Sequence, residues 1–150
     1  MDLILWRHAE AQDGKADLHR ELTAKGRKQA QRVAEWLQQR LPDGYALIAS
    51  PAARAQQTAE ALGRKFRTEP AIAPGASVAK LLHAAQWPDY KGLVILVGHQ
   101  PDFGYAAAHL VAGSRQSWSL KKGGLWWLSN RTRDEEDQVV VRAVVSPDLL

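Results

Sequence analysis

The chain has 150 residues, with 20 Lys and Arg against 16 Asp and Glu and a formal net charge of +4. Its 45% hydrophobic and 24% charged residues exclude a disordered chain, and the length fits a single domain over 1–150. The absence of cysteine excludes a disulfide framework, a thiol nucleophile and a Cys-ligated zinc or iron–sulfur site.

Residues 3–6, Leu-Ile-Leu-Trp, read as a short buried strand. Arg7, His8 and Glu10 follow at once, so the run is too short for a secretory signal. No stretch approaches the roughly 18 apolar residues of a membrane span. A cytoplasmic protein with no membrane partner is expected. The chain is then polar to Glu21, with a turn at Asp13-Gly14. Thr23 is a helix N-cap, and Ala30, Val33, Ala34, Leu37 and Leu41 form the inner face of the helix it opens. Pro42 and Gly44 stop that helix.

Residues 45–49 read as a second buried strand. Ser50 is the expected cap of the next helix, with Pro51 at its first helical position and its end near Phe66. Ala71-Ile72, bounded by Pro70 and Pro74, is the expected third strand. Ser77 caps a helix predicted to reach Trp87. Residues 93–97, Leu-Val-Ile-Leu-Val, are continuously apolar, as in a central strand covered on both faces. Gly98-His99 ends that strand, and a helix is predicted from Pro101 to Val111.

Residues 124–129 and 139–145 are two further strands, expected as an antiparallel edge pair joined by a long charged loop over 130–138. The acidic run Asp134-Glu135-Glu136-Asp137 in that loop reads as a solvated turn. Trp126 and Trp127 should face opposite sides of their strand. An amphipathic edge strand covered by a helix is favoured for them over an exposed aromatic landing site. The strand–helix alternation predicts a three-layer α/β/α sandwich with a mostly parallel central sheet and no large cap insertion.

Three segments follow strands: Arg7-His8-Ala9-Glu10, Ser50-Pro51-Ala52-Ala53-Arg54 and Gly98-His99-Gln100-Pro101-Asp102. Open α/β sheets bind ligands outside the carboxyl ends of their strands. Parallel strands would therefore bring Arg7, His8, Arg54 and His99 to one crevice. Helix N-termini there favour an anion. Arg pairs bidentately with phosphate oxygens, and a His with one unprotonated ring nitrogen can attack phosphorus. The bland alternatives are a buried structural His8, a solvated Arg54 and a locally packed His99. Arg54 in the first turn of a helix opposes the dipole unless an anion is near. This placement leaves open which His is the nucleophile. Glu10 either orients an Arg or only begins a loop. His19, His83 and His109 lack metal-ligand spacing and read as structural or surface residues.

Arg7-His8-Ala9-Glu10 resembles the Arg-His-Gly signature of the histidine phosphatase superfamily, the phosphoglycerate-mutase-like fold. Asp17, Arg20, Leu22, Thr23, Gly26 and Gln29-Ala30 resemble that family's next stretch. The segment from Ser50-Pro51 through Arg54-Ala55 to Gln57-Thr58-Ala59 resembles its second motif, and Gly98-His99-Gln100-Pro101 its late one. The pieces lie in family order over about the first 110 residues. The short length and the Gly-His-Gln-Pro-Asp form are similar to the SixA-type phosphohistidine phosphatases.

The resemblance implies that His8 takes the phosphoryl group and that Arg7, Arg54 and His99 bind its oxygens, with water releasing phosphate. It implies no metal and no organic cofactor. Arg20, before the first helix, is expected either to contact phosphate at the crevice mouth or to form a structural salt bridge.

Many relatives carry a Glu general acid after the third strand, where this chain has residues 71–77 with no acid. Another branch places the acid directly after the second His, where this chain has Gln100. Asp102 and Glu69 are weak general-acid candidates in its stead. A P–N bond leaves more readily than an alkoxide without a strong acid. The expected substrate is therefore a phosphohistidine on a signalling or phosphotransfer protein. The alternatives are a broad or small-molecule phosphomonoesterase and a non-catalytic phosphoprotein-binding module. The expected partner is thus a phosphorylated protein or a small phosphorylated molecule. No nucleic acid is expected, because no aromatic-and-basic recognition motif is visible, and the chain is expected as a monomer.

Overall fold

Successive strand residues point to opposite faces, and this divides the apolar runs between two cores. The structure, a computed structural model, describes residues 1–150. Six strands form one sheet: β1 (Asp2–Arg7), β2 (Ala46–Ala49), β3 (Arg67–Thr68), β4 (Leu93–Gly98), β5 (Leu125–Arg133) and β6 (Glu136–Val145). Their order is β3-β2-β4-β1-β5-β6. The first four in that order are parallel. β5 runs antiparallel to β1, and β6 to β5.

Ile4 and Trp6 of β1 and Ile95 and Val97 of β4 face one core. Val33 and Leu37 of α1 (Ala24–Gln38) and Ala55 and Ala59 of α2 (Ala53–Glu60) close it. Leu3, Leu5, Val94 and Leu96 face the other core. There Leu81 of α3 (Val78–Ala84) and Phe103, Ala106 and Ala107 of α4 (Asp102–Ala112) cover them. This is the predicted α/β/α sandwich, and no large insertion interrupts it. No helix is long and apolar enough to cross a membrane.

Thr23 caps α1 as its sequence position predicts, its Oγ1 accepting from Gly26 N at 2.9 Å. Gly26 is required by a close approach. A Cβ there would stand 2.0 Å from the carbonyl oxygen of Glu10, so the loop after β1 rests on the helix backbone.

Several predicted boundaries move. The third strand is Arg67–Thr68 and not Ala71-Ile72, because residues Pro70–Ile72 form a 3-10 turn whose cap is Glu69. α2 begins at Ala53, with Ala52 rather than Ser50 at its N-cap, and it ends at Glu60, well before Phe66. α3 stops at Ala84 instead of Trp87.

The expected loop over 130–138 is mostly strand. β5 and β6 continue to Arg133 and Glu136, which pair directly. Only Asp134 and Glu135 turn the chain, both with positive φ, 53° and 65°, the left-handed pair of a type I′ hairpin. Of this pair only β6 is an edge strand, since β5 lies between β1 and β6. Trp127 and Trp126 do take opposite faces, one in each core.

Candidate active site

Strand register assembles the site. Arg7 of β1 pairs with Gly98 of β4, and Ala49 of β2 pairs with Val97. The backbone continues this alignment one residue on: His8 N donates to Gly98 O, and Ser50 N to Val97 O, each at 2.9 Å. His8, Ser50 and His99 thus leave the carboxyl ends of three adjacent parallel strands, and α2 brings in Arg54.

His8 is 9% exposed. Its Nδ1 lies 2.7 Å from the carbonyl oxygen of Ala9. A carbonyl can only accept, so Nδ1 carries the proton and Nε2 the lone pair. Arg54 Nε donates to that Nε2 at 3.3 Å, which fits the same tautomer. Burial pushes the His8 imidazole down to about 4, and the nearby Arg54 and Arg7 charges push the same way, while the Ala9 bond opposes them. His99 is 4% exposed. Burial lowers it to about 3, aided by His8 and Arg54. The two rings lie 5.3 Å apart at 53°. Both are neutral at pH 7.

Arg54 is buried in the first turn of α2. Its Nη1 donates to the backbone oxygen of Asp17 at 2.8 Å and its Nη2 to Asp17 Oδ2 at 3.2 Å. Asp17 Oδ1 accepts from Arg20 Nε and Nη2 at 3.1 and 3.0 Å. The Arg20 hydrogen bond, with the Arg54 charge, holds the Asp17 carboxyl below the usual carboxylate range. Arg20 therefore makes the salt bridge, and through Asp17 it is one residue removed from Arg54. Arg7 Nη1 donates to Leu120 O at 2.6 Å. Arg7 Nε and His99 Nδ1 are buried polar atoms without a partner in the protein.

The remaining sequence candidates have other partners. Glu10 does not orient an Arg. Its Oε2 accepts from Thr23 Oγ1 at 2.7 Å, joining the loop to α1. Asp102 Oδ2 accepts from the backbone amides of Gly75 and Ala76 at 2.9 and 3.2 Å, and burial raises its carboxyl. Glu69 pairs with Arg67 at 2.8 Å, a hydrogen bond that lowers its carboxyl. His19, His83 and His109 are exposed. No cluster of three His, Cys, Asp or Glu side chains is placed to hold a metal.

Four supporting residues escaped the sequence reading. Ser50, read as a helix cap, has its Oγ 2.7 Å from His99 Nε2. Asp17 was visible only as a motif position three residues before Arg20. Thr58 accepts from Ala9 N at 3.1 Å and donates to Arg54 O at 2.8 Å. Its spacing of one helical turn from Arg54 was the available signal. Gln100 uses both ends of its amide, donating to Trp118 O at 2.6 Å and accepting from Gly104 N at 2.9 Å. A carboxylate at that position could not make the first bond.

The sequence profile of the histidine phosphatase superfamily (branch 1) matches residues 3–77. An uncharacterized protein of Picosynechococcus sp. is 36% identical over 138 residues, covering 83% of this chain and 82% of that protein. The fold is similar to that of the protein histidine phosphatase SixA complexed with tungstate, with a TM-score of 0.82, 24% identity and 99% of each chain covered. It is also similar to a phosphoserine phosphatase variant of Entamoeba histolytica in complex with phosphoserine, with a TM-score of 0.71, 17% identity and 99% and 98% covered.

Proposed function

The chain belongs to the histidine phosphatase superfamily, a superfamily of enzymes, and on that footing we propose that it hydrolyses phosphomonoesters through a phosphohistidine formed on His8. One observation carries the assignment. Ala9 fixes the proton on Nδ1 of His8, which leaves the Nε2 lone pair free of a proton beside two Arg side chains and a second neutral His.

In the proposed reaction that lone pair forms the N–P bond as the bond from phosphorus to the leaving oxygen breaks. Arg54 exchanges its contact with Nε2 for the phosphoryl oxygens, and Arg7 and His99 donate to them as negative charge spreads outward. The Ala9 carbonyl stabilises the positive charge that the phosphorylated ring acquires. Water then attacks phosphorus, the N–P bond breaks back to the Nε2 lone pair, and phosphate leaves. Arg20 steadies Asp17 at the mouth. Asp102 is the candidate for protonating the leaving oxygen: burial raises its carboxyl, while the Gly75 and Ala76 amides on Oδ2 work the other way.

The substrates named for proteins of similar fold, phosphoserine among them, support a phosphomonoester ahead of a phosphohistidine-only enzyme. A phosphohistidine on a protein is the second reading, and a specific observation favours it. Residues 70–77 carry no acid, and Glu69 is tied to Arg67. The imidazole that leaves when a P–N bond breaks needs such an acid less than an alkoxide does.

The test offers p-nitrophenyl phosphate and a phosphohistidine-bearing protein in parallel to the wild type and to His8→Ala. The wild type should hydrolyse the ester, and His8→Ala should lose at least about a thousandfold. Acid-labile phosphate should be trapped on His8. Label on His99, or full activity in His8→Ala, overturns the nucleophile. Turnover of the phosphohistidine protein alone selects the second reading.

A further inference from the structure

A groove of about 450 Å³ lies between the first three turns of α1 and the segment before β5, and five cations line it: Lys25, Lys28, Arg32, Lys121 and Lys122. One carboxylate, Asp148, lies among them and pairs with Lys121 at 3.0 Å. The other four make no salt bridge, and all five are exposed. The groove adjoins the proposed active site through shared backbone. Leu120 O holds Arg7 and Gly123 N donates to His8 O at 3.0 Å, so Lys121 and Lys122 lie between the two contacts. On the other wall, Gln29 accepts from Glu10 N at 2.9 Å.

This arrangement works against the stability of α1. Lys25, Lys28 and Arg32 follow each other at i+3 and i+4 on one face, and like charges at those spacings repel. Lys25 lies in the first turn of the helix, where the dipole disfavours a cation, and that turn has no acid. Local stability does not select this pattern, whereas an anionic partner would relieve both penalties.

Given the phosphatase reading, we propose that this groove docks an acidic segment of a phosphorylated protein substrate beside the phosphate delivered to His8. The α1 cations extend over eight residues, about 10 Å of helix, more than one phosphate group spans. The cations are exposed and mobile-stemmed, unlike the converging, largely apolar lining of a small-molecule pocket. No aromatic side chain lines the groove, so it lacks the stacking platform of a single-stranded nucleic-acid site.

The experiment measures binding to His8→Ala protein of three fluorescent probes at 50 and 300 mM NaCl. They are a phosphoserine peptide flanked by four Glu on each side, the same peptide with Gln in place of Glu, and a dodecamer of thymidylate. The Glu peptide should bind about tenfold more tightly than the Gln peptide at low salt, and the higher salt should remove most of that advantage. Lys25→Gln, Lys28→Gln and Arg32→Gln combined should remove most of it. Gln keeps a helix propensity close to that of Lys and Arg, and Lys122→Gln alone, on the opposite wall, should reduce it in part.

Equal binding of the two peptides, or a Glu-peptide advantage undiminished in the combined variant, overturns the proposal. Tighter binding of the oligonucleotide through the same residues overturns it in favour of a nucleic-acid backbone. With His8 intact, the combined variant should turn over p-nitrophenyl phosphate within about twofold of wild type. That arm reads the phosphatase assignment separately: a wild type inert on every phosphoryl substrate refutes the assignment while the peptide arm still reports on the groove.

Discussion

The His99 ring makes one hydrogen bond, through Nε2 at 2.7 Å from Ser50 Oγ, while its other nitrogen is buried without a partner. A side chain held by one hydrogen bond depends on it for orientation. Ser50→Ala removes that bond, and Ala is small enough to leave the fold intact. A hydrogen bond contributes about 0.5–1.5 kcal/mol, so kcat on p-nitrophenyl phosphate is expected to fall about two- to tenfold, with KM changed far less. An unchanged kcat would show that packing alone orients His99. The same logic places Asp17. Its carboxylate competes with any bound oxyanion for the Arg54 fork, so Asp17→Asn should tighten inhibition by tungstate. Weaker inhibition would mean that Asp17 chiefly positions Arg54.

At the scale of elements, short turns and close approaches deliver these residues. The loop after β1 is fixed from three sides: Glu10 on Thr23, Gln29 on Glu10, and Thr58 on Ala9. The β5–β6 hairpin is the element whose local sequence suits it least. Glu135 adopts φ 65°, a conformation that costs an L-residue about 1–2 kcal/mol. Glu135→Gly removes the strain while loosening the unfolded chain. A net gain of about 0.5–1 kcal/mol is expected, read as a thermal midpoint raised by roughly 2–4 °C. A lower midpoint would contradict the two-residue left-handed turn. Farther along the hairpin, the register shift between Trp127 and Leu128 accompanies Arg142, whose guanidinium stacks on the Trp127 ring at 4.6 Å and bonds Asp2 at 2.6 Å.

For the whole molecule, two neutral histidines buried at one sheet edge couple folding to pH. Unfolded His titrates near 6.5, whereas His8 and His99 are held at about 4 and about 3 by burial and by neighbouring positive charge. Below 6.5 the unfolded chain therefore binds more protons than the folded one. The stabilisation is fully present above that pH and is lost as pH falls through the window down to the folded values. His8 alone accounts for on the order of 3 kcal/mol across that window. Asp102, raised by burial, acts in the opposite sense, near and above its ordinary range. The urea midpoint should drop between pH 7 and pH 5. His8→Asn combined with His99→Asn should flatten that slope, and an unaltered slope would assign the effect to other groups.

Strands β1, β2 and β4 were legible in the chain because their apolar runs are short, continuous and covered on both faces. Thr23 and Ser77 marked helix starts because capping chemistry is local. Arg7, His8, Arg54 and His99 were legible as a group because each follows such a strand or opens the next helix, and parallel pairing then brings them to one edge. The third strand was not legible, since Arg67 and Thr68 carry no apolar signal and take strand form only by pairing with Ile48 and Ala49. The true hairpin turn was hidden because Asp134-Glu135 lacks the glycine that marks such turns. The tautomer of His8, the tie from Ser50 to His99 and the Asp17 link between Arg20 and Arg54 were decided only by the tertiary structure. Each is a hydrogen bond across a turn or between distant segments, whose angle and distance no spacing rule records. Composition counted the excess of positive charge, and folding decided that five of the 20 basic residues line one groove.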